Sequence, residues 1–163
     1  MSTRVYVPSS LGRLRAVLVS GGVGPVPLFA HCVTDALREA LPDGGEEEWE
    51  YAALTAAAQE SLALLEDDVP RRVVVVADVA TVLPVSGAEG SLVELAEVIP
   101  LRMIAAVHVD TPGAVETVEA ARTAWAAAVA GDDVALAAVD DCLDHELAWF
   151  ATQEIGDVVD SGG

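Results

Sequence analysis

Apolar positions along the chain switch between a period of two and a period near 3.6, and these switches divide it into strands and helices. Arg4-Val5-Tyr6-Val7 alternates and then meets Pro8, which reads as a first strand ended by a residue with no N–H to donate. Ser9 or Ser10 supplies an N-cap oxygen for a helix with Leu11, Leu14 and Leu18 on one face, closed by Gly21-Gly22. Gly24-Pro25-Val26-Pro27 is loop, a short strand runs from Leu28 to Val33, and Thr34 caps a helix over Asp35–Leu41 that Pro42-Asp43-Gly44-Gly45 stops. The clearest helix runs from about Glu46 to Glu66. Its stripe is Tyr51, Leu54, Ala58, Ser61, Leu62 and Leu65, and Glu46, Glu47 and Glu48 sit where the positive end of the helix dipole favours them.

After Pro70, Arg71 to Val79 carries four consecutive valines, the pattern of a strand covered on both faces and therefore central in its sheet. A Gly-containing turn between Ser86 and Ser91 precedes a half-exposed strand over Leu92–Glu97, which Pro100 breaks. Ile104 to Val109 reads as another buried strand. Asp110-Thr111-Pro112-Gly113 then opens a helix with a capping oxygen and a proline near its first position. Ala114, Val118, Ala121, Trp125 and Val129 form its stripe, ending at Gly131, whereas Asp132–Ile155 is ambiguous between strand and helix. The order predicts an α/β fold, a single domain over residues 1–159 with a mixed sheet covered by helices, and a flexible tail at 160–163 that frays at Ser161-Gly162-Gly163. An α+β two-layer sandwich is the alternative.

Composition narrows the chemistry. Just over half of the 163 residues are apolar but only 4% are aromatic, so the core is built from small and β-branched side chains. Twenty-seven acidic residues against 8 basic ones give a net charge of −19, a field that repels phosphate backbones and anionic headgroups. Direct nucleic-acid and membrane binding are therefore disfavoured. All the basic residues are Arg, and neither Lys nor Asn occurs, a composition that a GC-rich genome produces and that excludes Schiff-base and phosphate-loop lysine chemistry. No apolar run approaches the ~20 residues of a membrane span and no export signal opens the chain, so a cytoplasmic location with reduced Cys32 and Cys142 is expected.

Three constellations could carry chemistry. His145, flanked by Asp144 and Glu146, suits an acid–base group or a pH-responsive contact, since neighbouring carboxylates favour imidazolium. The plainer reading is that Leu147, Trp149 and Phe150 anchor the segment while its polar residues are solvated. Asp78 and Asp110 each lie near the end of an apolar strand. If those strands are parallel neighbours, the carboxylates with His108 form a hydrolytic or metal site; otherwise they are caps and turn formers, and capping fully explains Asp110. His31, Cys32, Cys142 and His145 are zinc-type ligands, but adjacent His31 and Cys32 would point to opposite faces of a strand, which favours buried cysteine packing. No metal and no cofactor is expected. The Gly21-Gly22-Val23-Gly24-Pro25 run lacks the strand context of a phosphate loop, and no Gly-x-Ser-x-Gly occurs.

Arg4-Val5-Tyr6-Val7-Pro8, the stretch Glu48–Ala58, Arg72–Asp78, Ala106–Asp110 and Asp144–Glu154 together resemble a family of uncharacterised actinobacterial proteins, a domain of unknown function, along nearly the whole chain. The resemblance implies a bacterial cytoplasmic protein and assigns no catalytic residue. Phe150 stands where that family pattern implies Tyr, which removes a hydroxyl and fits aromatic packing.

The leading expectation is a non-enzymatic binding or regulatory domain contacting a protein partner with a basic surface, because recognised catalytic motifs are absent and the negative field steers basic partners. A small-molecule hydrolase or metal-assisted enzyme is the alternative, using His145 with Asp144 or Glu146, or His108 with Asp78 and Asp110. A third reading is an acidic nucleic-acid mimic, with Glu46, Glu47, Glu48 and Glu50 in a carboxylate stripe.

Overall fold

The structure, a computed structural model, describes residues 1–66 and 68–161. Strand β1 (Thr3–Ser9) is followed by α1 (Leu11–Ser20), β2 (Gly22–Val23), β3 (Leu28–His31), α2 (Asp35–Ala40) and α3 (Glu46–Ser61). Then come β4 (Val73–Val79), β5 (Leu83–Pro84), β6 (Leu92–Leu95), β7 (Ile99–Pro100) and β8 (Ile104–Asp110). The chain closes with α4 (Val115–Val129), α5 (Asp133–Asp140), β9 (Leu147–Ala151) and α6 (Ile155–Ser161). Seven strands form an open sheet in the order β5-β6-β3-β1-β4-β8-β9, antiparallel at every pairing, and β2 and β7 form a separate ribbon. The α/β class with helices covering a sheet is thus the one the sequence predicts, whereas the sheet itself is antiparallel throughout rather than mixed.

Strand alternation sorts the core. Val5, Val7, Val73, Val75, Val107 and Val109 face one side, where α1 and α6 contribute Leu11, Leu14, Ile155 and Val158. Tyr6, Val74, Val76 and Ala106 face the other, under Ala53, Ala57 and Ala58 of α3. The four valines of β4 therefore point alternately into both layers. Each is at most 3% exposed and adds roughly 1.5–3 kcal/mol by burial. A third cluster lies beyond the sheet, where α4 and α5 pack Val118, Ala121, Ala135 and Val139 around Leu62, Leu65 and Cys142.

Local signals set the helix ends. Ser10 Oγ accepts from Arg13 N, Gly21 closes α1 in the left-handed region at φ 84°, and Thr34 Oγ1 accepts from Leu37 N. Gly22 meets a different demand, since an added Cβ would lie 2.8 Å from Val98 Cγ1 and 2.9 Å from Ile99 O. Only glycine lets the two strands of the ribbon approach this closely.

Several boundaries differ from the spacing-based expectation. Pro8 does not end β1 but pairs in register with Val74, because β1 meets β3 only at Tyr6–His31 and its edge beyond that point has no ladder bond to lose. Val17, not Leu18, completes the buried face of α1, and Leu18 is 41% exposed. Residues three and four beyond Leu14 are both apolar, so spacing alone does not choose between them. On α3 the smallest side chains face the sheet, which turns Tyr51 outward, and the α-helix stops at Ser61 before a 3-10 turn over Leu62–Leu64. On α4, Ala128 is buried in place of exposed Val129, the run of alanines giving a weak directional pattern. Strand β3 stops at His31, β6 stops at Leu95, and Pro100 sits in the ribbon opposite Gly22. The ambiguous stretch Asp132–Ile155 holds both states, α5 and then β9. Asp160 and Ser161 belong to α6, while Gly162 and Gly163 lie outside the described residues.

Candidate functional site

Arg72 enters β4 with its side chain 3% exposed, and the carboxylate of Asp110, 0% exposed, meets it. Asp110 Oδ2 accepts from Arg72 Nε at 2.8 Å and from the Arg72 backbone N at 2.7 Å, and Oδ1 accepts from Nη2 at 2.9 Å. The same Nη2 donates to the carbonyls of Cys142 (3.2 Å) and His145 (2.9 Å), and Arg71 Nε donates to Asp110 O at 2.8 Å. One guanidinium therefore ties the ends of β4 and β8 to the turn that leads into β9. Such a fork matches a carboxylate's two oxygens, so both charges are compensated in the interior.

Above this pair lies a cavity of 350 Å³ lined by Arg72, His108, His145, Glu146, Tyr51 and Leu147, among others. His108 projects from β8 toward the α3 side, and burial lowers its pKa from the ordinary histidine value. His145 Nε2 meets Thr117 Oγ1 of α4 at 3.1 Å. Cys142 also lines the cavity, and burial pushes its thiol up against the opposing pull of Arg72, which disfavours the thiolate.

Of the residues singled out from sequence, His108, His145 and Glu146 converge on this cavity, and Asp110 lies beneath it on Arg72. Asp144 is exposed and outside the lining. Asp78 and Asp110 do not form a pair. Strands β4 and β8 are adjacent but antiparallel, with Val73 opposite Val109, so the two carboxylates sit at opposite ends of the sheet. Parallel neighbours need a crossover element, and the link between these strands holds only short strands and a 3-10 turn. Asp78 instead accepts from Arg4 Nε and Nη2 at 3.1 and 3.0 Å near the surface. Nor does Asp110 cap the following helix, since the buried guanidinium takes both of its oxygens.

His31 and Cys32 do fall on opposite faces. Cys32 joins the core, whereas His31 Nδ1 meets Ser91 Oγ at 2.8 Å and Nε2 lies 3.0 Å from Glu60 without hydrogen-bond alignment. Among the described residues, no three His, Cys, Asp or Glu side chains gather in a metal-binding group. Arg71 and Arg72 are the residues that sequence reasoning missed. Their signal is a pair of charges directly before an all-valine strand, a place where a buried cation needs a buried anion.

The fold and site together define a layered α/β domain with an antiparallel sheet and a half-open histidine-lined cavity against one edge strand. The chain belongs to the Family of unknown function (DUF6912), whose family model matches residues 3–159. No curated protein and no solved structure matches it. No helix among the described residues is long and apolar enough to cross a membrane.

Proposed function

We propose that this chain is a non-enzymatic protein-binding domain that accepts a segment of a basic partner along β9. The contrast between the two sheet edges carries the reading. Strand β5 has two residues and one is Pro84, a blunt edge that resists pairing. Strand β9 has five, Leu-Ala-Trp-Phe-Ala, with neither charge nor proline. Trp149 on it is 61% exposed, and Tyr51 and Leu143 of the neighbouring cavity are 55% and 49% exposed.

The backbone supports strand addition. Ala151 N donates to Glu154 Oε1 rather than to β8, so by alternation the polar groups of Leu147 and Trp149 also point off the sheet. An extended peptide docking there would gain main-chain hydrogen bonds and bury Trp149, with a side chain available to the cavity. A second copy is a poor occupant, because each would bring a charge of −19, whereas a basic segment is attracted to exposed Asp144 and Glu146 at the entry to the strand.

The test is a pull-down from host lysate at low and moderate salt with the wild type, Trp149→Ala and Trp149→Lys. The expected result is a partner retained by the wild type and reduced about tenfold or more in both variants, as for a buried aromatic anchor. Nothing enriched, or the same proteins on all three baits, overturns the reading.

The hydrolytic alternative has one observation in its favour, the convergence of His108, His145 and Glu146 on one cavity. Against it, Asp78 and Asp110 are both held by arginines. On the reading proposed, activated esters turn over no faster than in buffer across pH 5–8. Turnover that rises as His108 loses its proton, and that disappears in both His108→Gln and His145→Gln, would transfer the assignment to a hydrolase.

A further inference from the structure

A larger cavity of 820 Å³ opens between the C-terminal end of α1, the β2–β7 ribbon and the segment after β4. Its wall is mostly apolar, with Val17, Leu83, Ile99 and Met103 contributing, but Arg13 and Arg102 also line it. These two stand apart from the other arginines. Arg4, Arg15, Arg38, Arg72 and Arg122 each meet a carboxylate, and Arg71 donates to the Asp110 carbonyl. Among the described residues, Arg13 and Arg102 have no carboxylate within 4.0 Å and no side-chain hydrogen bond. In a chain with 27 acidic residues, the two arginines that meet neither a carboxylate nor a side-chain hydrogen-bond partner among the described residues therefore line one apolar cavity.

We propose that this cavity binds a small amphipathic monoanion, an apolar body ending in one carboxylate, with Arg13 and Arg102 receiving the carboxylate. Glu97 is the remaining charged group of the lining, so two arginines and one carboxylate leave a local charge of +1. That balance matches a singly charged head. The surrounding −19 opposes polyanions such as nucleotides, whose extra charges gain no further cation here. The volume falls in the range of small-molecule sites, and an apolar wall with few polar groups is their usual construction. Neither arginine belongs to the β9 surface, so this inference stands independently of the protein-binding reading.

Isothermal titration of the full chain with decanoate, below its self-association concentration, and with decanol tests the proposal. Decanoate should bind about tenfold or more tightly than decanol, the scale of a charge-assisted contact. The preference should shrink in Arg13→Gln and in Arg102→Gln, vanish in the double variant, and grow in Glu97→Gln, while decanol affinity stays constant throughout. Both arginines are exposed and, among the described residues, give up no side-chain hydrogen bond or ion pair, so the variants keep the fold. Equal affinity for the two ligands, a preference that survives the double variant, or no binding of either ligand overturns the proposal.

Discussion

Asp110→Ala is expected to lower the unfolding free energy by about 3–5 kcal/mol, read from urea transitions followed by far-UV circular dichroism. The carboxylate is fully buried and accepts three hydrogen bonds from Arg72, so its removal leaves a guanidinium in the interior without a counter-ion and the Arg72 amide without an acceptor. Arg72 Nη2 would still reach the carbonyls of Cys142 and His145, but carbonyl dipoles do not neutralise a cation. Replacing both partners with apolar residues, as in Arg72→Met with Asp110→Leu, should recover part of the loss, because the isolated charge is its main source. Recovery stops short of complete because the two carbonyls then lose their donor. A single-variant loss below about 1 kcal/mol, the scale of a surface ion pair, would refute this account of the site.

Ser61→Ala is the second large effect, and here two small terms oppose a larger one. Ser61 Oγ donates to Ser9 O at 2.8 Å and accepts from Val73 N at 3.0 Å, fully buried. Ser9 and Val73 are opposite each other at the end of the β1–β4 ladder, so the hydroxyl closes that end. Alanine improves helix propensity by about 0.5 kcal/mol and avoids desolvating a hydroxyl. Each backbone group left unpaired costs about 1–3 kcal/mol, so the net expectation is a loss of about 2 kcal/mol or more. Faster hydrogen exchange at the Val73 amide, ahead of the core of β4, would localise the effect. Unchanged exchange there would count against the clip.

How legible these features are in the sequence depends on how far apart their causes lie. The four valines of β4, the Thr34 cap and the Gly21 stop are written within a few residues and read correctly. The direction of β8 relative to β4 is not local, and the parallel arrangement that would have joined Asp78 to Asp110 fails on it. Asp110 shows the same limit at the level of one side chain. Next to Thr-Pro-Gly it has the local appearance of a cap, and its actual partner lies 38 residues earlier. His108, His145 and Glu146 are legible as chemistry because of their residue types, but their convergence depends on the sheet order. The stretch Asp132–Ile155 resists a single assignment because it changes from helix to strand within a few residues, and α6, which begins at its last residue, is not among the elements the spacing predicts.

Strand β1 is the fourth in the order of the seven, so the earliest of these seven strands to be synthesised is the middle of the finished sheet. Apart from one bridge to β3, its partner is β4, about 70 residues later, a wait of several seconds at roughly 5–20 residues per second. Closing so long a loop before its reward gives a high contact order and slow assembly. Meanwhile the faces of β1 can already be covered by Leu11 and Leu14 of α1 and by Ala53 and Ala57 of α3, and it is the β4-facing edge that waits for its partner. Strand β1 is therefore the seam that joins β5-β6-β3 to β4-β8-β9, and without it those two groups of strands share no hydrogen bond in the sheet.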